Sequence, residues 1–162
     1  MQKTRINSKS FTLPLRYRNT NMEKKDLLTV ATIIVLIFGI YYLYTWNQVT
    51  TAARTVFSSV DIQNPQTERV GTGLELTFKP ENPSGLPLEI AIDLVAYADG
   101  EYADEIHTTD TLSPNAITSI KVVLASPTQG TNFDWDYNGK ITLTYRLLGT
   151  VPIVVTQNYR AQ

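Results

Sequence analysis

The chain has no cysteine and a single histidine, His107, among its 162 residues. The first absence removes disulfides, thiolate metal sites and cysteine nucleophiles together. A folded domain here must hold itself by core burial, although the missing cysteines do not identify a compartment. No nucleophile elbow, phosphate-binding loop or histidine pair is present. N-glycosylation also lacks an acceptor, because Pro83 occupies the middle of Asn82-Pro83-Ser84. Internal repeats and long low-complexity segments are missing as well.

Charge is absent from one stretch. Between Asp26 and Asn47 there is no charged side chain. The run LLTVATIIVLIFGIYYLYTW within it is about 20 residues long, enough to span about 30 Å of hydrocarbon at about 1.5 Å per residue. Thr29, Thr32 and Thr45 can bond back to their own helix, and Gly39 is tolerated in membrane helices. The far end carries Tyr41, Tyr42, Tyr44 and Trp46, amphipathic rings that favour the headgroup zone. Residues 26–46 are therefore expected to form one transmembrane helix, with residues 47–55 as a short polar stalk that could continue it.

The remaining charge is divided by this run. Residues 1–25 carry Lys3, Arg5, Lys9, Arg16, Arg18, Lys24 and Lys25 against Glu23 alone, a net +6. The other 137 residues carry seven basic and 14 acidic side chains, a net −7. Lys24 and Lys25 directly precede the apolar run, and only Arg54 lies near its other end. The positive-inside rule then puts the N-terminus in the cytoplasm and residues 47–162 outside the cell membrane. The basic tail, without apolar periodicity, is expected to be disordered or to lie on the lipid surface. Met22 is an alternative start for translation.

Two other readings of the apolar run were weighed. A buried core helix would need a larger core than a domain of this size can build around a helix apolar on every side. A cleaved signal peptide would have an apolar core of about 7–15 residues followed by a small-residue site. Here the run is longer, its exit is aromatic, and Thr50–Ala53 is a poor cleavage site.

After the run the periodicity changes to two. Val56, Ser58, Val60 and Ile62 suggest a first strand, and Leu74, Leu76 and Phe78 a second. Leu86 to Leu94, Ile120 to Leu124, Ile141 to Leu147 and Val151 to Val155 alternate in the same way. Asn82-Pro83-Ser84-Gly85, Asp99-Gly100, Ser113-Pro114-Asn115, Asn138-Gly139 and Gly149 punctuate them, with Asp99-Gly100 read as a tight hairpin turn. Pro80 and Pro83 belong at an edge or a strand break. About seven short strands with regular turns predict an all-β antiparallel sandwich over residues 56–162.

The segment LTFKPENPSGLPLEIAIDLVAY resembles the central motif of the LEA14-type, or water-stress-and-hypersensitive-response (WHy), domain. Asn82-Pro83, Pro87, Leu88, Ile90 and Tyr97 occupy the motif's places, and Ser113-Pro114 resembles its middle section. The ending ITLTYRLLGTVPI is similar to the family's closing hairpin, with Tyr145, Leu147 and Gly149 matching its Tyr-x-Leu-x-Gly pattern. The resemblance covers about residues 55–160. It departs at Ser84, where the family often has a second Asn, and at Ser126–Asp136, which is short. It implies a fibronectin- or immunoglobulin-like sandwich without catalytic activity, sometimes carried on an N-terminal membrane anchor.

Candidate chemistry is sparse. His107 lies near Asp104, Glu105 and Asp110, but one His without a convergent second group is expected to be a solvated side chain. Asp134-Trp135-Asp136-Tyr137-Asn138-Gly139 matches the opening D-x-D-x-N-G of a calcium loop, which makes Asp134, Asp136 and Asn138 candidate ligands. The closing bidentate Glu is missing, with Tyr145 in its place, and the alternative is an Asx turn before a strand. Residues 47–162 are acidic, which argues against nucleic-acid binding. The expected partners are the lipid bilayer and other membrane or envelope proteins. Three roles follow: a non-enzymatic, membrane-anchored binding or stress-protective module; an accessory subunit of a larger membrane complex, with Thr29, Thr32 and Gly39 as helix-packing points; and a pilin-like filament subunit whose helix runs from Leu27 to about Ser59. An enzyme ranks last.

Overall fold

The computed structural model describes residues 24–62, 65–70, 73–125 and 134–160. The basic tail up to Glu23, with Met22, and most of the short segment Ser126–Asp136 lie outside the described residues. The chain divides into two units, Met1–Ile37 and Phe38–Gln162.

One helix, α1 (Lys24–Ser59), opens the described chain. It is long and apolar enough to cross a membrane. In the first unit its leucines, isoleucines and valines are all exposed. Thr29 Oγ1 donates to Lys25 O and Thr32 Oγ1 to Leu28 O, both at 2.9 Å, so these hydroxyls are satisfied within the helix as expected.

In the second unit α1 becomes amphipathic. Thr45, Val49, Ala52, Ala53 and Val56 form one buried stripe at helical spacing. This corrects two expectations. Residues 47–55 are no free stalk, because their polar letters hide a stripe that belongs to the core. Val56 and Ser58 do not begin a strand, because Val56 completes the stripe set by Val49, Ala52 and Ala53 and so holds the helical period to Ser59. The helix end is tied down at its orphan carbonyls. Val60 N and Ser59 Oγ donate to Val56 O at 3.0 and 2.8 Å, and Tyr159 Oη donates to Phe57 O at 2.9 Å.

Nine strands follow among the described residues: β1 (Gln66–Val70), β2 (Gly73–Phe78), β3 (Glu81–Asn82), β4 (Leu88–Ala98), β5 (Glu101–Leu112), β6 (Ala116–Ile117), β7 (Ile120–Ala125), β8 (Trp135–Leu147) and β9 (Val151–Tyr159). All pair antiparallel, in a sheet β1-β2-β7, a two-residue ladder β3-β6 and a sheet β5-β4-β8-β9. Alternation along β4 buries Leu88, Ile90, Ile92, Leu94 and Ala96. Their faces meet Leu76 and Phe78 of β2, Ile120, Val122 and Leu124 of β7, and the α1 stripe in one apolar cluster. Pro80 and Pro83 flank β3, outside any long ladder.

The hairpins bear out their local chemistry. Asp99 (φ 51°) and Gly100 (φ 82°) link the paired residues Ala98 and Glu101, the left-handed pair that a two-residue turn requires. Asn138-Gly139 behaves otherwise. It was expected to precede a strand and instead lies inside β8, opposite Val95 and Leu94. A Cβ on Gly139 would stand 3.0 Å from Asp93 O and 3.1 Å from Ile62 Cδ1. Glycine is needed there for close packing of Ile62 and not for a turn.

Candidate functional site

The membrane-interface residues sit along α1. Lys24 and Lys25 are its first two residues. In the aromatic group, Tyr42 is half-buried against the β-domain core and stacks on Trp46, ring centroids 6.3 Å apart. Tyr44 faces outward and accepts from Gln48 Nε2 at 2.6 Å. The phenol of Tyr41 lies beside that of Tyr145 on β8. Burial foremost, then the neighbouring Tyr41, pushes the Tyr145 pKa above its ordinary value. The collar is therefore joined to the β domain at its own level, and Thr45, one turn on, is already buried.

Asn82 and Pro83 mark a buried polar hub. Asn82 is wholly buried. Its Nδ2 donates toward Leu86 O, Ser113 O and Leu112 O at 2.9, 3.1 and 3.3 Å. Its Oδ1 accepts from Ser84 N at 3.1 Å and Ser84 Oγ at 2.7 Å. One amide thus closes the β3–β4 connection and fastens it to the end of β5. Asn47, Gln48 and Ala52 of α1 border the same hollow as Pro83 and Ser84. Gly149, at φ 74°, shares the β8–β9 turn with Leu148, at φ 52°, and Thr150 N closes that turn on Leu147 O at 3.1 Å.

The calcium candidates are not brought together. Asp134 precedes β8, while Asp136 and Asn138 lie in it, paired with Tyr97 and Val95 of β4. An extended strand rises about 3.3 Å per residue, so ligands two and four positions apart stand roughly 7 and 13 Å away and cannot wrap one ion. The D-x-D-x-N-G spacing is a ladder segment and no calcium loop. Among the described residues no group of three or more His, Asp or Glu side chains converges on a common point.

The grouping that sequence reasoning missed lies on the outer face of β5-β4-β8-β9. Register sets His107 and Lys140 on either side of Asp93. His107 Nδ1 meets Asp93 Oδ1, and Lys140 Nζ lies 2.9 Å from Asp93 Oδ2. The hydrogen bond with His107 and the charge of Lys140 hold the Asp93 carboxyl below its ordinary range, against the opposing effect of burial. His107 is thus paired with a residue 14 positions away, and not with Asp104, Glu105 or Asp110. No local signal announces that pairing, since it exists only through strand register. Beside the row, Thr109, Thr111 and Thr144 line a shallow hollow with Glu89, Ala91 and Asp110. The row offers a cation–carboxylate–imidazole surface suited to polar contact.

Comparison with protein-family models and with curated proteins found no match.

Proposed function

We propose that the chain is a single-pass membrane protein, N-terminus cytoplasmic, that holds a fibronectin- or immunoglobulin-like sandwich of the WHy kind outside the membrane as a non-enzymatic binding or protective module. One observation carries the anchored reading. α1 is exposed and apolar around its circumference up to the Tyr/Trp collar, and it turns amphipathic, with a buried stripe, only from Thr45 onward. Such a change of pattern within one helix matches a change of solvent from lipid to protein. The sandwich reading is supported by two antiparallel sheets sharing one apolar cluster. The WHy reading is supported by the burial and hydrogen bonding of Asn82, one of the residues that match the motif.

Membrane fractionation with protease protection tests this. The intact chain is expected in the membrane fraction, resistant to carbonate wash, with the β domain digested only by protease added from outside. A carbonate-soluble chain sinks the anchor, and digestion only from the cytoplasmic side sinks the orientation.

One observation favours a second reading, the filament subunit: α1 runs unbroken to Ser59, the helix length that such a subunit requires. Mass spectrometry separates the two, because a mature chain that keeps Lys24 and Lys25 is not a processed filament subunit.

A further inference from the structure

The β8–β9 hairpin has a tip that the fold does not explain. From Ile141 to Thr156 it carries one charged residue, Arg146, and no carboxylate. At its turn Leu148 takes φ 52°, in the left-handed region where Asn, Asp or Gly belongs and a bulky side chain is an outlier. The Leu148 side chain is nevertheless 69% exposed. A strained apolar residue that leaves most of its side chain uncovered is a candidate contact for something outside its own domain. Val151 and Val154, just beyond the turn, are exposed as well.

Three contacts show where this tip points. Gly139 lies against Ile62; its ladder partner Tyr159 bonds Phe57 O; Tyr145 lies beside Tyr41. Strand from Gly139 to Tyr145 covers about 20 Å, and helix from Phe57 back to Tyr41 covers about 24 Å. β8 and the second half of α1 therefore run side by side in opposite directions. The tip extends roughly 10 Å past Tyr145, beyond the level of Tyr41 and away from Ser59. The opposite end of the β domain holds the Asp99-Gly100 turn with Glu101, and Asp134, whose O accepts from Asp99 N at 2.9 Å. The far end thus carries carboxylates, whereas the hairpin at the collar end has none of its own, and Glu89 of β4 beside it is paired with Arg146 at 3.6 Å.

We propose that the Leu148 tip enters the headgroup zone of the lipid surface that the Tyr41–Trp46 collar meets, giving the β domain a second, strand-borne membrane contact. The occupant is lipid because the tip continues the aromatic collar, whose rings belong at that interface. This rests on the anchored reading of α1, and the experiment keeps the two apart.

The native chain lacks cysteine, so single sites can be labelled. Full-length Leu148→Cys, Val151→Cys, Tyr102→Cys and Ile37→Cys chains are each labelled with an environment-sensitive fluorophore. They are reconstituted into phosphatidylcholine–phosphatidylglycerol vesicles with or without brominated acyl chains. Bromine is expected to quench the labels at Ile37 and Leu148 and to leave Tyr102 unchanged. Quenching at Ile37 with Leu148 behaving like Tyr102 overturns the hairpin contact alone. No quenching at Ile37 overturns the anchor, and the hairpin contact with it. Because a probe at the tip can itself favour lipid, a second arm labels Val151→Cys with Leu148 either native or changed to Asn. Quenching at Val151 is expected to fall several-fold with Leu148→Asn, and equal quenching in the two chains overturns the proposal.

Discussion

Ser84 Oγ donates to Asn82 Oδ1 at 2.7 Å and accepts from Leu86 N at 3.3 Å. Ser84 therefore completes the hub that Asn82 begins. Asn82→Ala would strand the carbonyls of Leu112 and Ser113 and the Ser84 N–H, while the Ser84 hydroxyl can still donate to Leu86 O at 3.2 Å. The expected loss is about 2–3 kcal/mol, since a buried unpaired polar group costs about 1–3 kcal/mol. Thermal unfolding of the two chains in the same detergent checks this, and an unchanged midpoint would deny the hub its role.

Tyr137 shows the converse. Its ring is buried, and its hydroxyl has no hydrogen-bond partner among the described residues. Tyr137→Phe removes an unsatisfied group without changing the packing volume, so stability should rise by up to about 1 kcal/mol. Burial also pushes the Tyr137 pKa from 10.0 up to about 12. The folded state then resists ionisation that the unfolded state undergoes. Stability associated with the protonated phenol is full below pH 10.0 and is lost as pH rises toward about 12. Alkaline unfolding curves of Tyr137→Phe should fall less steeply over that window than those of the native chain.

Asp93 shifts in the other direction. Its folded pKa is depressed below 3.8, so its contribution is full above that value and is lost as pH falls through the folded pKa. Asp93→Asn should lower stability at neutral pH by only about 0.5–1 kcal/mol, because the pairs with His107 and Lys140 are partly exposed. The difference between the chains should shrink in acid. A difference that persists unchanged below the depressed pKa would show that the carboxylate charge is not its source.

The burial of Val49, Ala52, Ala53 and Val56 sets where a soluble domain can begin. A chain starting at Thr45 keeps the whole stripe and should unfold cooperatively. A chain starting at Phe57 exposes the core facing that stripe and should show no cooperative transition by circular dichroism. Equal folding of both would show that α1 adds nothing to the domain.

The turn at Leu148 stores backbone energy. Leu148→Asn should stabilise the β domain by about 1 kcal/mol, since the left-handed conformation disfavours bulky side chains by about 1–2 kcal/mol. Chemical denaturation in detergent measures it, and a lower midpoint would show that the Leu148 side chain contributes within the domain after all.

Much of this protein follows from local pattern. The absence of charge after Asp26, the length of the apolar run and the aromatic residues at its end identify a membrane-length helix. Alternation identifies β4 and the turn residues identify the Asp99-Gly100 hairpin. Each is a property of neighbouring residues along one element, so the sequence by itself determines it. The tertiary structure decided everything that depends on which elements meet. α1 continues to Ser59 because residues 49–56 find an apolar cluster to cover, and a polar-looking stretch does not advertise that. Asn138-Gly139 is strand and not turn because its ladder with Val95 and Leu94 of β4 continues through it, with Ile62 packed closely on the glycine. That extended backbone is also what separates Asp134, Asp136 and Asn138. The row His107–Asp93–Lys140 and the hub at Asn82 join residues from separate segments of the chain, and only pairing register and the folded loops bring those groups into hydrogen-bonding range.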